Sequence, residues 1–332
     1  MPQSAPPGAV AGSPAPRLDD IAPAMAGATT CWARAADGVL LRMAHWRPQG
    51  PGRGTVLLFT GRTEYIEKYA ALASSLAERG FAVATLDWRG QGLSQRLHPD
   101  PSLGHVPSFA DYQHDVAALT EHAQAQDLPR PYLLLGHSMG GCIGLRALHQ
   151  GLTVAAAAFS APMWGIHMTG GMRILARALS ASARAARQHH RPVPGLEAGS
   201  YVETAPVQSN MLTTDPQAFA AMQGQLAAHP ELALGSPTLA WLGGALAEGR
   251  ALARIPPPAL PCVTVLGGAE TIVDPAAIRR RMARWPGGRL VEIPGARHEV
   301  LMEAPALRAQ AMEAILDLFE AAAPSGPGDA AR

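Results

Sequence analysis

Lysine is almost absent from this chain. Lys68 is the one lysine among 27 basic residues, and it follows Glu67, so there is no Gly-Lys pair for a phosphate-cradling Walker loop. Charged residues make up 16% of the sequence, below the about one quarter usual for soluble domains, which argues against a wholly disordered chain. A formal net charge of +1 offers no electrostatic footprint for nucleic acid, and none is expected as a partner. Cysteine is scarce as well. Cys31, Cys142 and Cys262 are odd in number, far apart and without a Cys-x-x-Cys, so neither a disulfide framework nor a zinc ribbon is expected, and a reducing compartment is. The most apolar stretch, residues 154–168, is too short and interrupted to span a bilayer. Residues 1–16 are rich in Pro and Ala but lack the basic start and compact apolar run of a secretory signal. These absences point to a cytoplasmic protein, free or peripheral on the inner face of the membrane.

What is present is an alternation of strand-like and helix-like segments. The chain's 332 residues, 48% of them hydrophobic, suffice for one large α/β domain or two smaller ones. Residues 31–35 and 39–46 read as strands joined at Asp37-Gly38, a hairpin signal. Residues 55–59 form a short apolar run, as expected of a strand buried on both faces. Thr63 is the expected cap of a following helix, in which Tyr65, Ile66, Tyr69, Leu72, Ala73 and Leu76 recur at helical spacing before Gly80. Further strands are expected at 81–86, 132–135 and 154–159, with helices at about 109–124 and 139–149. The alternation stops near Pro162 and resumes at Pro261, with strands at 262–266 and 290–293 and helices at 275–285 and 305–322. Repeated βα units imply a mostly parallel central sheet flanked by helices. The expected organisation is a disordered extension at 1–28, a core at 29–162 and 256–322, a helical cap at 163–255 inserted after the sixth strand, and a flexible tail at 323–332.

One segment carries a nucleophile signature. Gly136-His137-Ser138-Met139-Gly140 matches Gly-x-Ser-x-Gly, a pattern expected by chance about 0.2 times in so glycine-rich a chain. Its position between an apolar strand and a helix-compatible run is far more specific. A serine held on a sharp strand-to-helix turn exposes its oxygen at the cost of strained backbone angles, and Gly136 and Gly140 leave room around it. There the helix N-terminus and the backbone N–H of Met139 favour a developing oxyanion.

Such a serine needs a base, and the base an orienting carboxylate, in the chain order serine, acid, histidine. His298 lies in the loop after the final strand and is the expected base. Two acids follow the preceding strand. Glu270, nearer the strand end, is the expected triad acid, and Asp274 is the alternative, read instead as a loop-stabilising or helix-capping residue before Pro275.

These motifs, together with Asp87-Trp88-Arg89-Gly90-Gln91-Gly92 and Gly295-Ala296-Arg297-His298, resemble the α/β-hydrolase superfamily. The resemblance spans roughly residues 30–322 and is narrower to the monoacylglycerol lipase and bacterial lysophospholipase group. It implies an α/β-hydrolase fold and a second oxyanion donor in Phe59-Thr60-Gly61-Arg62-Thr63-Glu64-Tyr65, namely the backbone N–H of Arg62. Threonine stands there where the family commonly has histidine. That form, and a glutamate as acid, lean toward the lysophospholipase branch. The implied activity is hydrolysis of a single-chain acyl ester, a lysophospholipid or monoacylglycerol, with no metal or organic cofactor. The same machinery serves general carboxylesterases, acyltransferases and some peptidases, whereas non-catalytic binders of this fold usually lose a triad member. Gly90-Gln91-Gly92 is read as a turn near the active site rather than a nucleotide loop, because Gln95 stands where a third glycine is required. His189-His190 lacks metal-ligand spacing and is read as solvated.

The expected cap holds a basic stripe. Arg173, Arg177, Arg184, Arg187 and Arg191 fall within about 80° of arc on one helix ending before Pro192, and no acid lies between Met163 and Arg191. Leu175, Ala178, Leu179, Ala185 and Ala186 take the opposite side. The stripe is either a solvated face or a surface for anionic lipid headgroups. Met163, Trp164, Met168, Met172 and Met211 either wall an acyl-chain site or fill an ordinary core.

Overall fold

The strand-like runs of the sequence become β1 (Ala28–Arg34), β2 (Leu40–Trp46), β3 (Gly54–Phe59), β4 (Phe81–Leu86), β5 (Tyr132–His137), β6 (Ala156–Ser160), β7 (Cys262–Gly267) and β8 (Arg289–Ile293). The computed structural model describes residues 9–196 and 199–323. The strands form one sheet in the order β1-β2-β4-β3-β5-β6-β7-β8. The first hairpin pairs antiparallel and β2 pairs antiparallel with β4, while every later pairing is parallel. Gly38 turns the hairpin at φ +91, a conformation glycine adopts without steric cost.

Strands β3 to β7 are buried along their whole length, which is why their sequences run apolar rather than alternating. Successive side chains feed opposite faces. Leu57, Phe59 and Leu134 pack with α2 (Tyr112–Ala125) and α3 (Ser138–His149). Val56, Leu58, Leu133 and Leu135 pack instead with α1 (Ala70–Glu78) and the C-terminal helix. Between β6 and β7 the chain leaves the sheet for α4 (Gly170–Ala185), the single turn α5 (Tyr201–Thr204), α6 (Pro216–Ala228) and α7 (Leu239–Leu252). It returns at β7, crosses to β8 through α8 (Pro275–Met282) and ends the core with α9 (Pro305–Ala322). No helix is long and apolar enough to cross a membrane among the described residues. The three cysteines are free thiols.

Three expectations are corrected. The disordered extension does not reach residue 28. Residues 9–27 pack on the first hairpin: Gly12 N–H donates to Trp32 O and Trp32 N–H to Ser13 O, Thr30 Oγ1 donates to Ala15 O, and Met25 is fully buried. The Pro/Ala composition concealed that Ala15 covers Trp32 and Leu40. Residues 1–8, and 324–332 of the expected tail, lie outside the described residues.

Thr63 does not cap a helix. Its φ is +66 and its hydroxyl donates to Arg62 O. The expected single helix is instead a 3-10 turn at Ile66–Tyr69 followed by α1.

The arginine stripe is not one helix face. Arg187, at φ +57, breaks the helix, which leaves only Arg173, Arg177 and Arg184 on α4. Its burial is reversed from the expected polarity. Arg173 turns inward, donating to Met168 O and standing 3.6 Å from Asp274, and Arg177 Nε is enclosed without a partner. Ile174 and Leu175 point outward, 69% and 66% exposed, and Met172 is nearly as open. Met163 and Trp164 are core residues, Trp164 stacking on Trp285, whereas Met211 is exposed.

Candidate active site

The turn from β5 into α3 has no connecting residue: His137 ends the strand and Ser138 starts the helix. Ser138 therefore takes φ +47, a left-handed conformation that costs a non-glycine residue about 1 kcal/mol or more and persists only when surrounding packing dictates it. The glycines make that packing close. A Cβ on Gly140 would lie 2.1 Å from Phe59 O and 2.5 Å from Thr60 O, so the first turn of α3 rests against the end of β3. This contact sets the first turn of α3, with Met139, against the start of the Thr60–Glu64 loop, which carries Arg62. As the second residue of α3, Met139 has no intrahelical acceptor for its N–H.

The loops after β7 and β8 deliver the other two groups to the same sheet edge. His298 Nε2 lies 2.9 Å from Ser138 Oγ, and its Nδ1 lies 2.7 Å from Glu270 Oε2. The second Glu270 oxygen accepts the N–H groups of Ile272 at 2.6 Å and Val273 at 3.1 Å. Burial alone would push the Glu270 carboxyl up, but the hydrogen bond and charge of His298, with the two amides, bring it below its ordinary value. Asp274 is elsewhere: its Oδ1 accepts the N–H groups of Ala276 and Ala277 as the N-cap of α8. The structure thus brings Ser138, His298 and Glu270 into one hydrogen-bonded line and gives Asp274 a capping position.

The Arg62 loop is pinned residue by residue. Trp88 Nε1 donates to Thr60 O, Glu64 accepts Gly61 N–H, and Gln91 donates to both Gly61 O and Glu64 O. The Gly90-Gln91-Gly92 turn is therefore a support for this loop. The Arg62 side chain reaches away toward the inserted helices, donating to Gly235 O at 2.5 Å and lying over the Trp241 ring. Burial pulls its guanidinium down to about 10.

Sequence reasoning missed the charged groups beneath the site. Glu64, Lys68, His137 and Glu299 are all buried there. The adjacency of His137 to Ser138 and of Glu299 to His298, and the isolation of the one lysine, were the available signals.

A nucleophile elbow at the edge of a mostly parallel sheet, with histidine and carboxylate brought in by the last two strands, defines an α/β hydrolase of the serine type. The serine aminopeptidase S33 family (Hydrolase_4) matches residues 50–305, and the chain belongs to it, within the lysophospholipase and monoacylglycerol lipase group. It is 35% identical to lysophospholipase L2 of Escherichia coli strain K12 over 294 residues, covering 85% of each chain. It is 29% identical to a probable lysophospholipase L2 of Haemophilus influenzae, covering 81% of this chain and 84% of that one. A crystal structure of a soluble monoglyceride lipase variant from Saccharomyces cerevisiae superposes with a TM-score of 0.70 at 22% identity, over 89% of this chain and 95% of that one.

Proposed function

We propose that the protein hydrolyses the carboxylic ester of a single-chain acyl lipid, a lysophospholipid or monoacylglycerol, through an acyl-enzyme. The observation that carries this reading is the Ser138–His298–Glu270 line at a strained elbow, in a chain one-third identical to lysophospholipase L2. Ser138 Oγ attacks the ester carbonyl as His298 Nε2 takes its proton. Glu270 holds Nδ1–H, which leaves Nε2 free as the acceptor and stabilises the imidazolium that forms. The backbone N–H groups of Arg62 and Met139 receive the developing oxyanion. His298 then returns the proton to the departing alcohol, and water repeats the sequence to release the fatty acid.

The substrate meets the enzyme at a lipid surface, through the exposed flank of α4. Met172, Ile174 and Leu175 offer the apolar contact, and Arg184, Arg187 and Arg191 remain available to anionic headgroups. Arg173 supports the helix from its inner side.

A fluorophosphonate probe labels the wild-type protein and not Ser138→Ala; equal labelling of both sinks the nucleophile assignment. A matched panel of lysophosphatidylcholine, lysophosphatidylethanolamine, monoacylglycerol and short nitrophenyl esters then tests the substrate class. Strong preference for the short esters makes the protein a general carboxylesterase, and acyl transfer to an added alcohol in preference to water makes it an acyltransferase. Lipid binding without any labelling makes it a non-catalytic binder.

A further inference from the structure

Three residues next to the reacting groups, Glu64, His137 and Glu299, form one buried cluster with the Lys68 ammonium. Glu64 anchors the Arg62 loop through Gly61 N–H and also accepts Tyr69 Oη–H at 2.7 Å. Glu299 follows His298 in the chain. His137 precedes Ser138, and its ring centroid lies 4.9 Å from that of His298. Lys68 Nζ bridges the two carboxylates, donating to Glu64 Oε1 and, at 2.7 Å, to Glu299 Oε1. The remaining Glu299 oxygen and His137 Nε2 are enclosed 3.4 Å apart, and neither has another hydrogen-bond partner.

All four groups are almost wholly buried, where unbalanced charge is costly. Glu64, His137 and Glu299 place ligand atoms within 4.8 Å of one another, and the Lys68 ammonium takes the two carboxylates of this group. Burial works against charging Lys68, yet Glu299 and Glu64 outweigh it and hold the amine protonated. The same two carboxylates keep His137 toward its protonated form against burial. Burial would raise the Glu299 carboxyl, but Lys68 and His137, with His298 beyond them, hold it well below its ordinary value. Lys68 and His137 thus set positive charge against the carboxylates they face.

We propose that Lys68 is a positioning residue for the ester hydrolysis described above: its ammonium ties the oxyanion loop to the histidine loop and balances the charge behind His298. This rests on the reading of Ser138 and His298 as nucleophile and base. The groups facing His298 are Glu270 at Nδ1, Ser138 at Nε2, His137 at a tilted ring contact and Glu299 beside it in the chain, with Lys68 and Glu64 behind. Without Lys68 an uncompensated carboxylate charge stands behind His298, and the acid limb of activity moves to higher pH.

The experiment is steady-state hydrolysis of a short soluble nitrophenyl ester from pH 5 to 9, with thermal unfolding recorded for each variant. Lys68→Met lowers kcat by about 10- to 100-fold with KM within about threefold of wild type, and moves the acid limb of kcat/KM to higher pH. Lys68→Met combined with Glu299→Gln returns the limb toward wild type, because a charge has been removed from each side, while kcat stays low without the bridge. A merely structural lysine lowers the amount of active protein and leaves the limb in place. Glu299→Gln alone retains Lys68 and removes one anion, so its acid limb moves to lower pH. A folded Lys68→Met with unchanged kcat and limb overturns the proposal. Should Lys68→Met fail to fold, an unmoved limb in Glu299→Gln overturns it instead. Turnover retained by Ser138→Ala in the same assay refutes the triad and not the role of Lys68 alone.

Discussion

Replacing Glu270 by glutamine tests the site through the direction of one hydrogen bond. The two carboxylate oxygens are both committed: one to His298 Nδ1 at 2.7 Å, the other to the N–H groups of Ile272 and Val273. A glutamine must set its single carbonyl oxygen against those two donors, since an amide N–H there would face N–H. Its NH2 then points at His298 Nδ1, which can only accept. The imidazole is forced into the tautomer with the proton on Nε2, aimed at Ser138 Oγ 2.9 Å away, and it cannot take the serine proton. Shape and volume are nearly unchanged, so the loss is in kcat, by about 10³- to 10⁴-fold, equivalent to about 4–5.5 kcal/mol of barrier. Asp274→Asn is the matched control. Asparagine caps a helix as well as aspartate does, and Asp274 donates nothing to the triad, so turnover stays within about threefold of wild type. The assay is kcat on a soluble ester at pH 8, with fluorophosphonate labelling rates as a second readout. A Glu270→Gln enzyme within tenfold of wild type, or an Asp274→Asn enzyme as damaged as Glu270→Gln is expected to be, refutes this account.

Three further outcomes follow from other parts of the molecule. Ile174→Ser with Leu175→Ser removes exposed apolar area and should weaken vesicle co-sedimentation several-fold while sparing the soluble ester; unchanged sedimentation ends the α4 proposal. Gly140→Ala drives a Cβ to 2.1 Å from Phe59 O, so the protein should lose several kcal/mol of stability or fail to accumulate, read from soluble yield and thermal melting. His45 and His122 lie 3.1 Å apart between β2 and α2, and burial, with smaller contributions from His122 and Arg47, pulls His45 down to about 4. The unfolded chain then binds more protons than the folded one between about pH 4 and pH 6.5. The contribution of this pair is complete above about 6.5 and is lost as the pH falls through that window. The melting temperature should drop across it in wild type and drop less in His45→Gln; equal slopes would contradict the assignment.

The Ser138–His298–Glu270 line was legible because each of its parts depends on local signals that the chain order organises. An apolar run followed by Gly136–Gly140 announces an elbow, and the strands expected at 262–266 and 290–293 place the next two loops on the same edge. Glu270 was separable from Asp274 by distance from the strand end, and the capping geometry of Asp274 agrees with the helix signal of Pro275 beside it. The Lys68 cluster was not legible in the same way. Its members are separated by up to 235 residues of sequence, and only the sheet order β4-β3-β5, with the β8 loop folded across its end, brings them together. Residues 9–27 were obscured for a different reason: small residues with little propensity of their own are ordered by pairing with Thr30 and Trp32.

The reversal of α4 shows what periodicity alone leaves open. A helical wheel fixes the angles between residues but not which side meets the protein. The usual rule, apolar side inward, presumes that the rest of the fold offers an apolar surface. Here α4 packs chiefly against α7, and the contact is made by small residues, Ser180 against Gly243 with Ala183 buried nearby. A seam built from Ser, Ala and Gly admits close approach without needing leucine. Arg173 and Arg177 flank that seam, and Arg173 finds carbonyls and Asp274 on the inner side. Ile174 and Leu175 are left on the open side, where water makes their exposure unfavourable by about 1.5–3 kcal/mol each relative to full burial. A cost of that size is tolerated in a stable fold, and under the α4 proposal it is removed when the helix meets a lipid surface, so the outward face, rather than the arginine stripe, is the part of the helix that proposal puts to the test.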